Sequence, residues 1–82
     1  MHVEVYTKSG CSLCDDAIDL LRRKQRSHTF VLTLHDIADR AEWFATYRYR
    51  VPVICIGGAP ALELRIEEEA LTAALVAAER GV

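Results

Sequence analysis

Residues 3–24 read VEVYTKSGCSLCDDAIDLLRRK, and a change of period partway along them decides the fold. The β-rich residues His2 to Thr7 alternate in polarity and stop at Lys8-Ser9-Gly10, the pattern of a strand followed by a loop. After Ser12 the spacing becomes helical: Leu13, Ala17, Leu20 and Leu21 recur at three- and four-residue intervals. Asp15, Asp16 and Asp19 come early, and Arg22, Arg23, Lys24 and Arg26 come late. Acid at the start and base at the end complement a helix dipole, so a helix is expected from Ser12 to Gln25. Cys11 then takes the N-cap position and Cys14 the first turn.

Working outward, Thr29 to His35 (TFVLTLH) is rich in β-branched and aromatic residues and reads as a second strand. Asp39 to Tyr47 places Ala41, Phe44 and Ala45 on one side of a short helix. Val51 to Ile56 (VPVICI) is a continuous apolar run ended by Gly57-Gly58, as in a strand buried on both faces. Pro52 has no N–H for a sheet ladder, so it belongs at the strand's first residue or in a special turn. Ala59 to Ile66 is the hairpin partner across Gly57-Gly58. Glu67 to Arg80 forms an alanine-rich last helix, with Glu67, Glu68 and Glu69 as dipole partners and Gly81 at its end.

The order β-α-β-α-β-β-α implies a parallel opening pair with a right-handed crossover and an antiparallel closing hairpin. An α/β domain follows, with a four-stranded mixed sheet flanked by helices. In open sheets of this kind reactive groups gather where strands end and helices begin, which is where Cys11 stands.

Composition restricts the chemistry. At 82 residues, 51% hydrophobic and 27% charged, the chain reads as a single globular domain over residues 1–82. A net charge of −2 gives no general pull toward nucleic acid or anionic membrane. No apolar run approaches the roughly 20 residues of a membrane span, and the first residues lack the basic flank and apolar core of an export signal. A cytoplasmic protein, monomeric, with no nucleic-acid or membrane partner, is the expectation. Three cysteines are too few for a disulfide-built secreted scaffold. That sets aside a structural staple and leaves two uses for Cys11 and Cys14, a redox dithiol or a metal clamp.

A cysteine at a helix N-terminus meets unpaired backbone N–H groups and the positive end of the dipole, both of which favour the thiolate. Lys8 adds a nearby positive charge, and Asp15 and Asp16 oppose it. Cys14 is three residues on, within one helical turn at about 100° per residue, and in reach of a mixed disulfide formed at Cys11. Attack by Cys11, a mixed disulfide, and resolution by the deeper Cys14 make up a thiol–disulfide exchange cycle. Two cysteines alone fall short of a closed four-ligand zinc site, so a metal or iron–sulfur carrier would borrow ligands from a partner chain. A binding module with a lapsed redox role is the third reading.

VYTKSGCSLC resembles the strand, loop and active-site start of glutaredoxins. Val51-Pro52, opening an apolar strand that ends in glycine, resembles the cis-proline segment of the thioredoxin fold. The element order is similar to that fold from end to end, and RIEEEALTAALVAAE is similar to a small bacterial glutaredoxin-like family. The resemblance implies that Val51-Pro52 meets Cys11 and Cys14 in space. It also implies that Val51 offers its N–H and C=O to an extended thiol substrate, and that the cycle draws on glutathione or a protein dithiol without a bound cofactor. The substrate would be a disulfide-containing protein or a small thiol compound. The pattern departs from glutaredoxins at Arg50, where they carry threonine, and at LELRIEEE, where they carry a second Gly-Gly and paired aspartates that hold glutathione. Arg50 is expected to offset part of that loss by forking onto a substrate carboxylate or stabilising the Cys11 thiolate.

The remaining residues read plainly. Cys55 lies in an apolar run and behaves as a small hydrophobe. His2, His28 and His35 have no ligand spacing. The basic run RRKQR ends a helix, and at least half of Trp43, Phe44, Tyr47 and Tyr49 are expected to pack in the core, with an exposed docking patch as the alternative.

Overall fold

The computed structural model describes residues 1–81. Strand β1 (His2–Thr7) is followed by α1 (Ser12–Lys24), β2 (Val31–Asp36), a 3-10 turn (Ile37–Asp39), α2 (Ala41–Tyr47), β3 (Val53–Ile56), β4 (Ala59–Glu63) and α3 (Glu68–Arg80). The strands lie in the order β2-β1-β3-β4, with β1 parallel to β2 and antiparallel to β3, and β3 antiparallel to β4. This is the thioredoxin-like α/β arrangement expected from the element order.

Alternation along the strands divides the residues between two faces. Val3 and Val5 of β1, Ile54 and Ile56 of β3, and Leu32 and Leu62 turn toward α1 and α3. There they pack with Ala17, Leu20, Leu21, Leu71 and Leu75 in the main core. The opposite face carries Tyr6, paired in register with His35 and Val53, and Glu4, paired with Thr33 and Cys55. The short α2 lies on that side. It has no fully buried residue and no side-chain N-cap, and it is held by the half-buried Trp43 and Tyr47.

Several boundaries differ from the expected ones, each for a physical reason. β2 begins at Val31 rather than Thr29, because its first N–H goes to the carbonyl of Met1, 3.0 Å away, where pairing with β1 starts. The expected helix start at Asp39 splits. Asp36 caps a 3-10 turn through Ala38 N–H (2.9 Å), and Arg40 is extended (φ −140°) before α2 begins. β4 stops at Glu63 because Leu64 adopts a left-handed conformation, φ 63°. Gly57 and Gly58, both at positive φ, make the two-residue hairpin turn of which glycine is the easiest occupant. Pro52 falls just ahead of β3, where no ladder N–H is asked of it.

No helix among the described residues is long and apolar enough to cross a membrane.

Candidate active site

Gly10 turns the chain at positive φ (73°) from the end of β1 into α1. Cys11 follows as the N-cap of α1, extended at φ −105° and ψ 106°. Its sulfur takes the part a serine or aspartate oxygen plays at other helix starts, accepting the Cys14 N–H at 3.2 Å. Its carbonyl accepts the first helical bond, from Asp15 N–H at 3.1 Å. The apolar stripe of α1 thus begins at Cys14, and Leu13 projects outward instead, 39% exposed.

The two cysteines have unequal surroundings. Cys11 is half-buried, whereas Cys14 is fully buried, and both are free thiols. Burial pushes the Cys14 thiol above its ordinary range. Its hydrogen bond with Cys11 adds to the rise, and the Thr7 hydroxyl and the Lys8 main chain pull against it. Cys14 also forms a small apolar cluster with Ile37 and Val51, on which Tyr6, Cys11, Trp43 and Tyr47 pack. The segment before Pro52 therefore meets the helix start through direct packing, and the Val51–Pro52 peptide is cis.

Two site expectations need correction. Val51 is not free to offer both backbone groups, since its N–H already donates to the carbonyl of Tyr47 at 3.0 Å. Only its carbonyl remains for an extended substrate. Arg50 does not point its charge at Cys11: its Nε donates to Glu63 Oε2 at 2.6 Å, and its guanidinium carbon sits 5.6 Å from the centre of the Tyr47 ring. The carboxylate of Glu63 holds the arginine firmly in its charged form. Lys8 is exposed, and its link to the pair runs through its main chain at Cys14.

The structure adds residues that sequence reasoning missed. Ile37, 1% exposed, comes from the 3-10 turn and packs against Cys14 and Val51. Leu64 N–H reaches back across the hairpin to the carbonyls of Pro52 (2.9 Å) and Arg50 (3.3 Å), tying the end of β4 to the proline segment. Thr7 could have been suspected from its place at the last residue of β1, but Leu64 carries no local signal at all. On the α1–α3 side a cleft of about 230 Å³ opens beside the helix start, lined by Leu13, Asp16, Ala17, Arg65, Ile66 and Glu67.

Cys55 is buried, as expected for a small hydrophobe, but it sits on the α2-side face beside Glu4. Burial first, then the Glu4 carboxylate, raise its thiol, with Arg50 opposing. Among the described residues no group of three or more His, Cys, Asp and Glu side chains is placed to hold a metal ion. A half-exposed sulfur at a helix N-terminus, with a buried second sulfur one turn on, is an arrangement suited to sequential attack and resolution.

Comparison with known proteins agrees with this geometry. A structural-genomics target protein from X. campestris, solved by X-ray crystallography, superposes with a TM-score of 0.78 at 27% identity, covering 92% of this chain and 96% of that one. No curated protein matches. The family model described as glutaredoxin-like domain (DUF836) matches residues 2–76, nearly the whole sequence and both cysteines, and the chain belongs to that family.

Proposed function

We propose that the protein is a thiol–disulfide oxidoreductase in which Cys11 attacks and Cys14 resolves. The observation that carries this reading is the hydrogen bond from Cys14 N–H to the Cys11 sulfur, 3.2 Å, between one half-exposed and one fully buried thiol. A donor aimed at that sulfur fixes its direction. The thiolate of Cys11 attacks one sulfur of a substrate disulfide, a new S–S bond forms to Cys11, and the substrate's other sulfur leaves as a thiolate that takes a proton. Cys14 then gives up its proton and attacks the Cys11 sulfur. The mixed disulfide breaks, the second substrate thiol leaves, and the protein is left with a Cys11–Cys14 disulfide. The substrate has gained two electrons and two protons, which glutathione or a protein dithiol restores to the enzyme.

In this reading the Val51 carbonyl and the Pro52 ring border the substrate chain next to Cys11. Lys8 adds positive charge around the attacking sulfur. Arg50 serves an anionic substrate once Glu63 gives way. The natural substrate is a disulfide-bearing protein or a small thiol compound, met in the cytoplasm by a monomer.

The test is the reduction of bis(2-hydroxyethyl) disulfide with glutathione and, separately, with a dithiol as donor. Cys11→Ser is expected to abolish turnover with both donors. Turnover at the wild-type rate in that variant would end the proposal.

A further inference from the structure

Residues 40–50 read RAEWFATYRYR, three arginines against one carboxylate, interleaved with four aromatic residues, in a chain whose net charge is −2. The structure gathers them beside the site. Trp43 and Tyr47 pack inward on the Cys11–Cys14–Val51 cluster. Phe44 (45% exposed) and Tyr49 (79%) face outward. The guanidinium carbon of Arg40 lies 5.1 Å from the centre of the Trp43 ring, and that of Arg48 lies 5.5 Å from Phe44 and 4.6 Å from Tyr49. Arg40 is within 3.6 Å of Glu42, and Arg50 is bound to Glu63. Among the described residues Arg48 forms no ion pair, so its charge is uncompensated, and its guanidinium lies over exposed rings three residues before Val51.

The opposite flank of Cys11 has the other sign. Asp15 and Asp16 are exposed on the first turns of α1, and Asp16 lines the cleft there with Glu67, which is paired to Arg65 at 3.2 Å. The attacking sulfur thus stands between a side that carries the unpaired Arg48 and a side that carries the exposed Asp15 and Asp16, and a partner approaching it feels a field with a direction.

We propose that the α2 face formed by Arg40, Phe44, Arg48 and Tyr49 docks an acidic peptide segment of the disulfide-bearing partner, so that the partner's disulfide is delivered to Cys11. The inference rests on the redox reading above and names the class of partner. Guanidinium groups pre-positioned on aromatic rings lose little freedom when they fork onto carboxylates. A nucleic-acid strand fits less well, because its phosphates would continue past Cys11 onto Asp15 and Asp16. A short acidic peptide needs only the cationic side.

The experiment uses Cys14→Ser protein and peptides that differ only in the residues flanking one cysteine, which are aspartate, lysine or serine. Each peptide cysteine is joined by a disulfide to 2-nitro-5-thiobenzoate. Attack by the Cys11 thiolate forms a Cys11–peptide disulfide, breaks the bond to the chromophore, and releases the coloured thiolate. At low salt the aspartate peptide is expected to react about tenfold faster than the lysine peptide, and the gap should close at high salt. Arg48→Glu should abolish or reverse the ratio, and Arg48→Gln should reduce it. Because the ratio is read within each variant, changes in the sulfur's own reactivity cancel. Equal rates for the two peptides at low salt, or a ratio untouched by Arg48→Glu, would overturn the proposal. So would a single-stranded oligonucleotide that blocks the serine peptide more strongly than a cysteine-free aspartate peptide does. If Cys11 reacts with the serine peptide no faster than free cysteine does, the redox reading falls, and the aspartate-to-lysine ratio still decides the docking.

Discussion

The main-chain N–H of Cys14 donates to the sulfur of Cys11 across 3.2 Å, so the residue proposed to resolve a mixed disulfide also orients the sulfur proposed to form it. The donor is backbone, and replacing the Cys14 side chain leaves it in place. Cys14→Ser is therefore expected to attack substrate disulfides at a rate near that of the wild type and then stall. Mass spectrometry should find one substrate thiol bound at Cys11. Turnover with a dithiol donor should fall by roughly a hundredfold or more, since the intramolecular exit is gone. A variant that turns over fully and accumulates no adduct would show that Cys14 takes no part.

Burial raises the thiols of both Cys14 and Cys55, which gives the reduced protein a pH signature. In the unfolded chain these thiols ionise near the ordinary value of about 8.5. In the fold they hold their protons to higher pH. Below the unfolded value the groups are neutral in both states, and the stability associated with their burial is fully present. As pH rises from there through the folded values, the unfolded chain sheds protons first and stability falls. Thermal unfolding of reduced protein from pH 7 to 10.5 should show Tm constant at first and then declining above about pH 8.5. Cys55→Ala should make that decline shallower. An unchanged slope in Cys55→Ala would mean that its thiol ionises alike in both states.

What the sequence makes legible here is local. The switch from alternating to helical spacing falls within a few residues around Cys11, and the glycine pair at 57–58 marks a hairpin directly, so β1, α1 and the β3–β4 turn can be read without coordinates. The helix-cap position of Cys11 follows from the same pattern. Long-range pairings leave no such trace. Nothing near Val51 shows that its N–H is taken by Tyr47, and nothing near Arg50 shows that Glu63, thirteen residues on, holds its guanidinium. The same holds for Ile37, an ordinary apolar residue until the 3-10 turn delivers it to Cys14.

The Arg50–Glu63 pair decides whether the arginine can serve a substrate. With Glu63 Oε2 2.6 Å from Nε, an incoming carboxylate must displace one that is already in place. Both side chains are nearly half exposed, so water weakens the pair and the competition is close. Glu63→Gln is expected to raise the second-order rate with glutathione a few-fold, about threefold to tenfold, by leaving the guanidinium free for the tripeptide's carboxylates. Arg50→Ala should lower that rate, and neither change should alter the rate with an uncharged dithiol. If glutathione kinetics are indifferent to both substitutions, Arg50 plays no part in binding the donor.

Leu64 holds the proline segment from an unlikely backbone state. At φ 63° its side chain crowds its own main chain, a conformation that glycine and asparagine adopt with less strain. Its N–H nevertheless supplies the bonds to Pro52 and Arg50 carbonyls, which any residue but proline could make. The identity of the side chain and the job of the backbone are thus separable. Leu64→Gly and Leu64→Asn should fold with stability within about 1 kcal/mol of the parent, because relief of strain offsets lost apolar contact and, for glycine, the freer unfolded chain. Leu64→Val should cost about 1–3 kcal/mol, since a β-branched residue is poorly tolerated at positive φ. Leu64→Pro should cost more, removing the N–H and demanding a negative φ, and should also slow attack by Cys11 as the segment beside it loosens. Urea unfolding of the four variants, with alkylation rates of Cys11 in each, gives the order directly, and equal stability of the glycine and valine variants would remove strain at Leu64 from the account.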